Sequence, residues 1–176
     1  GSASDDARRR DFTANALYYD IDDNSILDYA GGYQDIENRI LHIIGDPEKR
    51  YREDPVRMLR ALRFAGKLDF KIEKNTAAPI RELASLLGNI PAARLFDESL
   101  KVFLSGYGGK TLPLMMEYGL FEQLYPITVP CLENDFFVQM IQQALRNTDH
   151  RLANGKGITP AFFYAVVLWG PLQEAL

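Results

Sequence analysis

The sequence predicts an α+β chain that is mainly α, with a small strand-bearing segment over residues 1–45 and an all-helical array over residues 46–176. Three observations carry this. Short aromatic runs separated by turn residues crowd the first 45 positions. From Asp54 onward the apolar residues recur at helical spacing. No apolar run approaches the roughly 18 residues that a membrane span needs.

The first segment reads as a hairpin. Ala16 to Asp20 and Ile26 to Tyr29 are short, apolar and aromatic, and Asp22-Asp23-Asn24-Ser25 between them is turn chemistry. Gly31-Gly32 breaks the chain, residues 33–38 read as a short helix, and 39–44 as a third strand ended by Gly45-Asp46-Pro47. Asp54 then offers an N-cap, Pro55 suits a first helical turn, and Val56, Leu59, Leu62 and then Ala65 or Gly66 fall near one face. Further helices are expected over 75–87, 92–104, 111–118, 135–152 and 159–169, most of them closed by glycine or asparagine. Their core is expected to hold Leu59, Leu62, Leu83, Leu87, Leu95, Leu100, Phe103, Met115 and Leu120, with Asp54, Arg57 and Arg60 on an exposed, concave side.

Composition bounds the function. The 176 residues are 47% hydrophobic and 25% charged, the balance of a globular chain rather than a disordered one. One cysteine excludes a disulfide scaffold, and with two histidines (His42, His150) there is no structural zinc set. Cys131 reads as a small buried apolar residue. The start, Gly1-Ser2-Ala3-Ser4-Asp5-Asp6, has no basic or apolar leader pattern, and the dipeptide Gly1-Ser2 with no initiator Met resembles a tag remnant or a cut in a longer chain. The apolar stretch that closes the chain lacks a terminal cap and reads as a second cut. A cytoplasmic, reducing compartment is expected. The net charge of −4 argues against a generic nucleic-acid binder. Yet Arg50, Arg52, Arg57, Arg60 and Arg63 face only Glu53 and Asp54 in their own stretch. A locally basic surface on an acidic chain suits an anionic ligand held at one place.

Three segments can carry chemistry. In the first, Asp54, Arg57, Arg60 and Arg63 lie three apart, so they follow one side of a helix. A carboxylate accepts hydrogen bonds and a guanidinium donates them. Asp54 and Arg57 together therefore match an edge that donates at one atom and accepts at the next. Adenine and cytosine present that edge; guanine and uracil present the reverse. Arg60 and Arg63 have the geometry for phosphates. The alternative is a solvated basic helix face with an ordinary ion pair. In the second, Asp11 follows Arg8-Arg9-Arg10 and either meets Mg²⁺ or a ribose hydroxyl, or caps a short helix. In the third, Asp28-Tyr29-Ala30-Gly31-Gly32 is a hinge or a structural turn. There is no Walker motif, dinucleotide fingerprint, nucleophile elbow or HExxH.

The order of these segments is more specific than any one of them. Arg9-Arg10-Asp11-Phe12-Thr13, then Asp28-Tyr29-Ala30-Gly31-Gly32 with Asp35, then Glu53-Asp54-Pro55-Val56-Arg57 through Phe64, resembles the class II nucleotidyltransferase family. That family contains bacterial poly(A) polymerases and CCA-adding enzymes, and Pro91 to Glu98 resembles the poly(A) branch. The resemblance implies template-independent transfer of AMP from ATP to RNA 3′ ends, assisted by Mg²⁺. It implies that residues 1–45 are the remnant of a nucleotidyltransferase head sheet and 46–176 a helical neck and body. Asp11 is then the catalytic carboxylate at the metal or ribose, and Arg10 meets ribose or triphosphate. Asp54 and Arg57 read adenine, while Arg60 and Arg63 support the nucleotide. Glu53 orients an arginine, Arg94 braces the neck, and Asp28, Gly31 and Gly32 form a flexible element. RNA and the RNA-decay machinery are the implied partners. The family's Asp-x-Asp metal motif has no counterpart upstream of Arg9, so the chain as it stands is expected to be inactive. CCA addition, or a non-catalytic helical RNA-binding module, are the competing readings.

Overall fold

The computed structural model describes residues 2–176; Gly1, half of the dipeptide read as a tag remnant, lies outside the described residues. The packing divides the chain into one unit ending at Leu83 and a second beginning at Ala84. The 1–45 and 46–176 segments of the sequence reading thus mark a change of period, while residues 46–83 pack with the first unit.

In the first unit, α1 (Ala3–Arg9) starts at a capping box in which the Ser2 hydroxyl and the Asp5 carboxylate satisfy each other's backbone N–H. The expected hairpin forms: β1 (Leu17–Tyr19) pairs antiparallel with β2 (Ile26–Asp28), Leu17 opposite Asp28. The short helix also forms, as α2 (Gly32–Glu37). The third strand is shorter than expected. β3 (Ile40–Leu41) pairs in parallel with β4 (Lys71–Ile72), a strand too short to leave a period in the sequence.

Gly45-Asp46-Pro47 does not end the strand, which stops at Leu41; it starts a helix the sequence reading omitted, α3 (Pro47–Glu53). The Asp46 carboxylate accepts the Lys49 N–H at 2.8 Å, and proline at the first helical position loses nothing by lacking an N–H. Asp54 is consequently not a side-chain N-cap. It closes α3 with its own N–H, and its carbonyl accepts the Arg57 N–H of the next helix, α4 (Val56–Leu68). Val56, Leu59 and Leu62 turn inward as predicted and are buried, as are Phe12, Leu41, Ile43 and Tyr51 of the same unit. The fully buried Tyr51 hydroxyl donates to the Thr76 carbonyl at 2.9 Å. The helix expected over 75–87 is divided into α5 (Lys74–Ala77), α6 (Ile80–Leu83) and a 3₁₀ segment over Ala84–Asn89. Pro79, with no N–H to give, sits at the first break.

The second unit packs α7 (Ala92–Phe103), α8 (Gly108–Glu117), α9 (Leu120–Leu124), a 3₁₀ segment (Pro126–Glu133), α10 (Asp135–Ala153) and α11 (Pro160–Ala175). Phe103, Phe121 and Phe163 form an aromatic centre, with the Phe103 and Phe163 rings stacked at 5.0 Å. Leu83, Leu87, Met115, Leu120 and Cys131 are buried as expected. Leu95 and Leu100 are only half-buried: Ser99, Val102 and Phe103 form the inward stripe of α7, and the two leucines fall in its first turn and one position off the stripe. Among the described residues no helix is long and apolar enough to cross a membrane.

Helix α8 begins three residues before its expected start because Asp149 of α10 caps it. The two carboxylate oxygens accept the N–H groups of Gly108 and Gly109 at 2.9 and 2.8 Å. Burial pushes the Asp149 carboxyl up, and the two N–H donors recover only part of this, so it lies above the ordinary carboxylate range. A raised folded value means that the folded state binds the proton more tightly than the unfolded one. The stability from this group is therefore present below about pH 4 and lost as pH rises through the folded value. Asp149→Asn is expected to flatten that part of the stability profile, measured as urea midpoints between acidic and neutral pH.

Candidate functional site

Asp11 is placed by backbone before its side chain does anything. Phe12 bridges Ile43, the Asp11 carbonyl accepts the Ile44 N–H at 2.8 Å, and the Thr13 N–H reaches the His42 carbonyl at 2.9 Å. The following 3₁₀ turn (Thr13–Asn15) is entered at Phe12, so Asp11 is not its cap. The side chain instead turns inward, with 11% of its surface exposed, into a group of arginines.

One carboxylate oxygen accepts the Arg57 Nε at 2.9 Å and lies 3.9 Å from Arg50 Nη2. The other lies 2.7 Å from Arg60 Nη2. Arg57 Nη1 donates to the Arg50 carbonyl at 2.9 Å and lies 3.6 Å from Glu53. Arg50 lies 3.4 Å from Glu53 through Nη1 and donates through Nη2 to the Arg10 carbonyl at 2.9 Å. The result is three guanidinium groups over two carboxylates, built by α3, α4 and the segment after α1. The chain turns from α3 into α4 at Asp54-Pro55, and Arg57 Nη1 reaches back to the Arg50 carbonyl.

The predicted residues are distributed as follows. Asp54 is half-buried at the entrance to α4, one turn before Arg57. Arg57 is not on an exposed side as expected: only 15% of its side chain is exposed, because its partners enclose it. Arg60 is the more open of the two at 37%. Arg63 lies over the Phe64 ring, 4.7 Å from its centre. Arg10 is not in the group; its guanidinium grips Asp6 at 2.8 and 3.1 Å, and Asp6 also accepts the Tyr18 hydroxyl. Glu53 lies beside Arg50 and Arg57. Arg94 is exposed in the first turn of α7, in the second unit.

The glycine turn is tightly built. Asp28 accepts the N–H groups of Ala30, Gly32 and Tyr33 at 3.0–3.1 Å. Burial pushes its carboxyl up, but these donors outweigh burial and hold it below the ordinary range. Gly31 has φ of +77° and starts α2. Gly32 passes so close to the Thr13 carbonyl that a Cβ would overlap it. The Thr13 hydroxyl donates to Asp35 at 2.6 Å, and His42 lies 3.6 Å from the same carboxylate. Any motion of this turn therefore moves Thr13, two residues from Asp11.

Sequence reading missed the parts of Arg50, Thr13 and Asp35. Arg50 had been noted only as part of a basic stretch; recognising α3 would have set its phase. Thr13 and Asp35 stood inside the motifs already quoted, but nothing local joined them.

The group does not fit Mg²⁺. That ion asks for near-octahedral oxygen ligands, and both Asp11 oxygens are occupied by guanidinium donors. Among the described residues no three His, Cys, Asp or Glu side chains converge as a metal set. In this geometry Asp11 is the ion-pair partner of Arg57 and Arg60.

Residues 1–42 match the family model described as the Poly A polymerase head domain, and residues 69–132 the one described as the probable RNA and SrmB-binding site of polymerase A. Poly(A) polymerase I of Escherichia coli O6:H1 is 51% identical over 99% of this chain. The chain belongs to the poly(A) polymerase family. It spans 38% of that relative's length. A CCA-adding enzyme of Geobacillus sp. is 36% identical over 89% of this chain and 36% of its own. Among solved structures, a tRNA nucleotidyltransferase complexed with a primer tRNA and an incoming ATP analog matches with a TM-score of 0.75 and 28% identity, over 96% of this chain and 50% of that one. The poly(A) branch suggested by Pro91 to Glu98 is thus also the branch of higher identity.

Proposed function

We propose that this chain is the nucleotide-reading and neck portion of a polynucleotide adenylyltransferase that adds AMP from ATP to RNA 3′ ends. In that reaction the RNA 3′-oxygen bonds to the α-phosphorus of ATP and pyrophosphate leaves. The observation that carries the reading is the fixed Arg57 guanidinium at the start of α4, one turn from Asp54. Together they offer the acceptor and donor that an adenine edge requires. Arg60, with donors beyond the one given to Asp11, and Arg63 are assigned to phosphates. Residues 1–45 belong to the head and 46–176 to the neck and body on this reading.

ATP and Mg²⁺ are the pair the reaction requires, and the carboxylates that hold the ion are not those at Asp11. RNA is assigned to the helical part, in keeping with the match over 69–132, and the RNA-decay machinery is the class of protein partner. The cytoplasm is the assigned compartment: ATP and RNA ends meet there, and the single buried Cys131 needs no oxidising environment.

The test uses the full-length protein carrying this sequence, with Mg²⁺ and an RNA lacking a CCA end, and each nucleoside triphosphate separately. Long tails with ATP alone are the expected products. One to three additions that need CTP and a tRNA-like end would assign CCA addition. No extension with any nucleotide would leave a non-catalytic RNA-binding module.

A further inference from the structure

We propose that Asp11 is a positioning residue for base selection: it sets the Arg57 guanidinium in register with the incoming base and is not a ligand of the catalytic metal. The inference rests on the base-reading role given to Arg57 above. Its evidence is the division of labour at one carboxylate. One oxygen is committed to Arg57 Nε and the other to Arg60 Nη2, so the side chain spaces two arginines of one helix, Arg57 and Arg60, at a fixed separation. Both Asp11 and Arg57 are largely buried, 11% and 15% exposed, and a buried ion pair persists only with good geometry and further hydrogen bonds. Those exist here: the Asp11 backbone is pinned by Ile44, and Arg57 Nη1 is taken by the Arg50 carbonyl.

With Nε and Nη1 so occupied, the fork of Arg57 presents its Nη2 donors in one direction. An arginine left to itself carries about 2 kcal/mol of rotamer entropy. Fixing it before the nucleotide arrives removes that cost from binding and imposes a donor pattern that guanine cannot meet. Glu53, exposed by 44% and 3.6 Å away, does not hold the guanidinium as firmly.

The test compares Asp11→Asn and Asp11→Glu with wild type in the full-length protein. Two quantities are read. Metal-free binding of ATP and GTP, by calorimetry in EDTA, reports base selection; the Mg²⁺ concentration for half-maximal extension reports metal ligation. Asp11→Asn should reduce the ATP-over-GTP binding preference by about tenfold and raise KM for ATP more than it lowers kcat. The half-saturating Mg²⁺ concentration should stay put. Asp11→Glu keeps the charge, and therefore the fold, but displaces the carboxylate by one methylene; it should lose several-fold in preference. Preference intact in both variants, with a raised Mg²⁺ requirement, would overturn the proposal and return Asp11 to the metal. Wild-type protein that binds ATP and GTP alike would instead remove the base-reading role of Arg57, and this one with it.

Discussion

Arg57→Ala should cost the full-length protein about 10- to 100-fold in ATP-over-GTP selectivity, the range set by one well-placed pair of base hydrogen bonds, about 1–3 kcal/mol. Turnover with ATP should fall less than selectivity does, because Arg60 and Arg63 are left to hold phosphates. The substitution also has a structural effect. Asp11 loses the donor at 2.9 Å on one oxygen, and the Arg50 carbonyl loses the Nη1 donor. Arg60 and Arg50 remain beside the carboxylate, so the charge is not stranded. The loss in stability should stay near 2 kcal/mol, below the 3–5 kcal/mol expected when a buried charge loses its only partner. Arg57→Lys separates the two effects. Its single ammonium can meet Asp11 but cannot also reach the Arg50 carbonyl and the base in a planar fork. It should restore most of the stability and little of the selectivity. Competition between ATP and GTP in primer extension, alongside thermal melts, decides both.

Gly32→Ala should be the most damaging small substitution in the first unit. Its methyl group would overlap the backbone carbonyl of Thr13, and backbone cannot step aside as a side-chain tip can. Overpacking of this kind costs about 3 kcal/mol, which in a unit of this size lowers Tm by more than about 10 °C. Gly31→Ala is the informative control. Open space surrounds a Cβ there, so only its φ of +77° opposes the change, worth about 1–2 kcal/mol. If Gly31→Ala proved the worse of the two, the close approach to Thr13 would not be what fixes this turn. Because Thr13 and Asp11 are two residues apart, Gly32→Ala should also disturb nucleotide selection in whatever fraction remains folded.

Much of this was legible in the sequence, for local reasons. The hairpin announced itself through turn residues between aromatic runs, and α4 through Val56, Leu59 and Leu62. The placing of Asp54 and Arg57 one turn apart was legible from spacing alone. What escaped was decided at a distance or by an ambiguous residue. Pro47 serves equally as the end of a strand and the first residue of a helix, and the wrong choice hid α3 and with it the phase of Arg50. The two residues of β4 have no pattern to read. Leu95 and Leu100 obeyed a helical period, but the period could not say which stripe the aromatic centre selects. Asp11 is the sharpest case. A carboxylate after three arginines is compatible with metal, ribose or ion pairing, and its pairing with arginines of α3 and α4 could not be read from local sequence.

The bond between Asp11 and Arg57 joins residues 46 apart in the chain. Closing a loop of that length costs about 3 kcal/mol of conformational entropy. The contact therefore has to be held by the rest of the folded unit, which supplies what closing the loop costs. Helix α4 on its own would still present its row of positive charges, and those would attract any nucleotide through its phosphates. On the proposed reading, discrimination between bases needs the contact that closes this loop. On that reading, opening this one contact should cost the choice of base before it costs the attraction to phosphates.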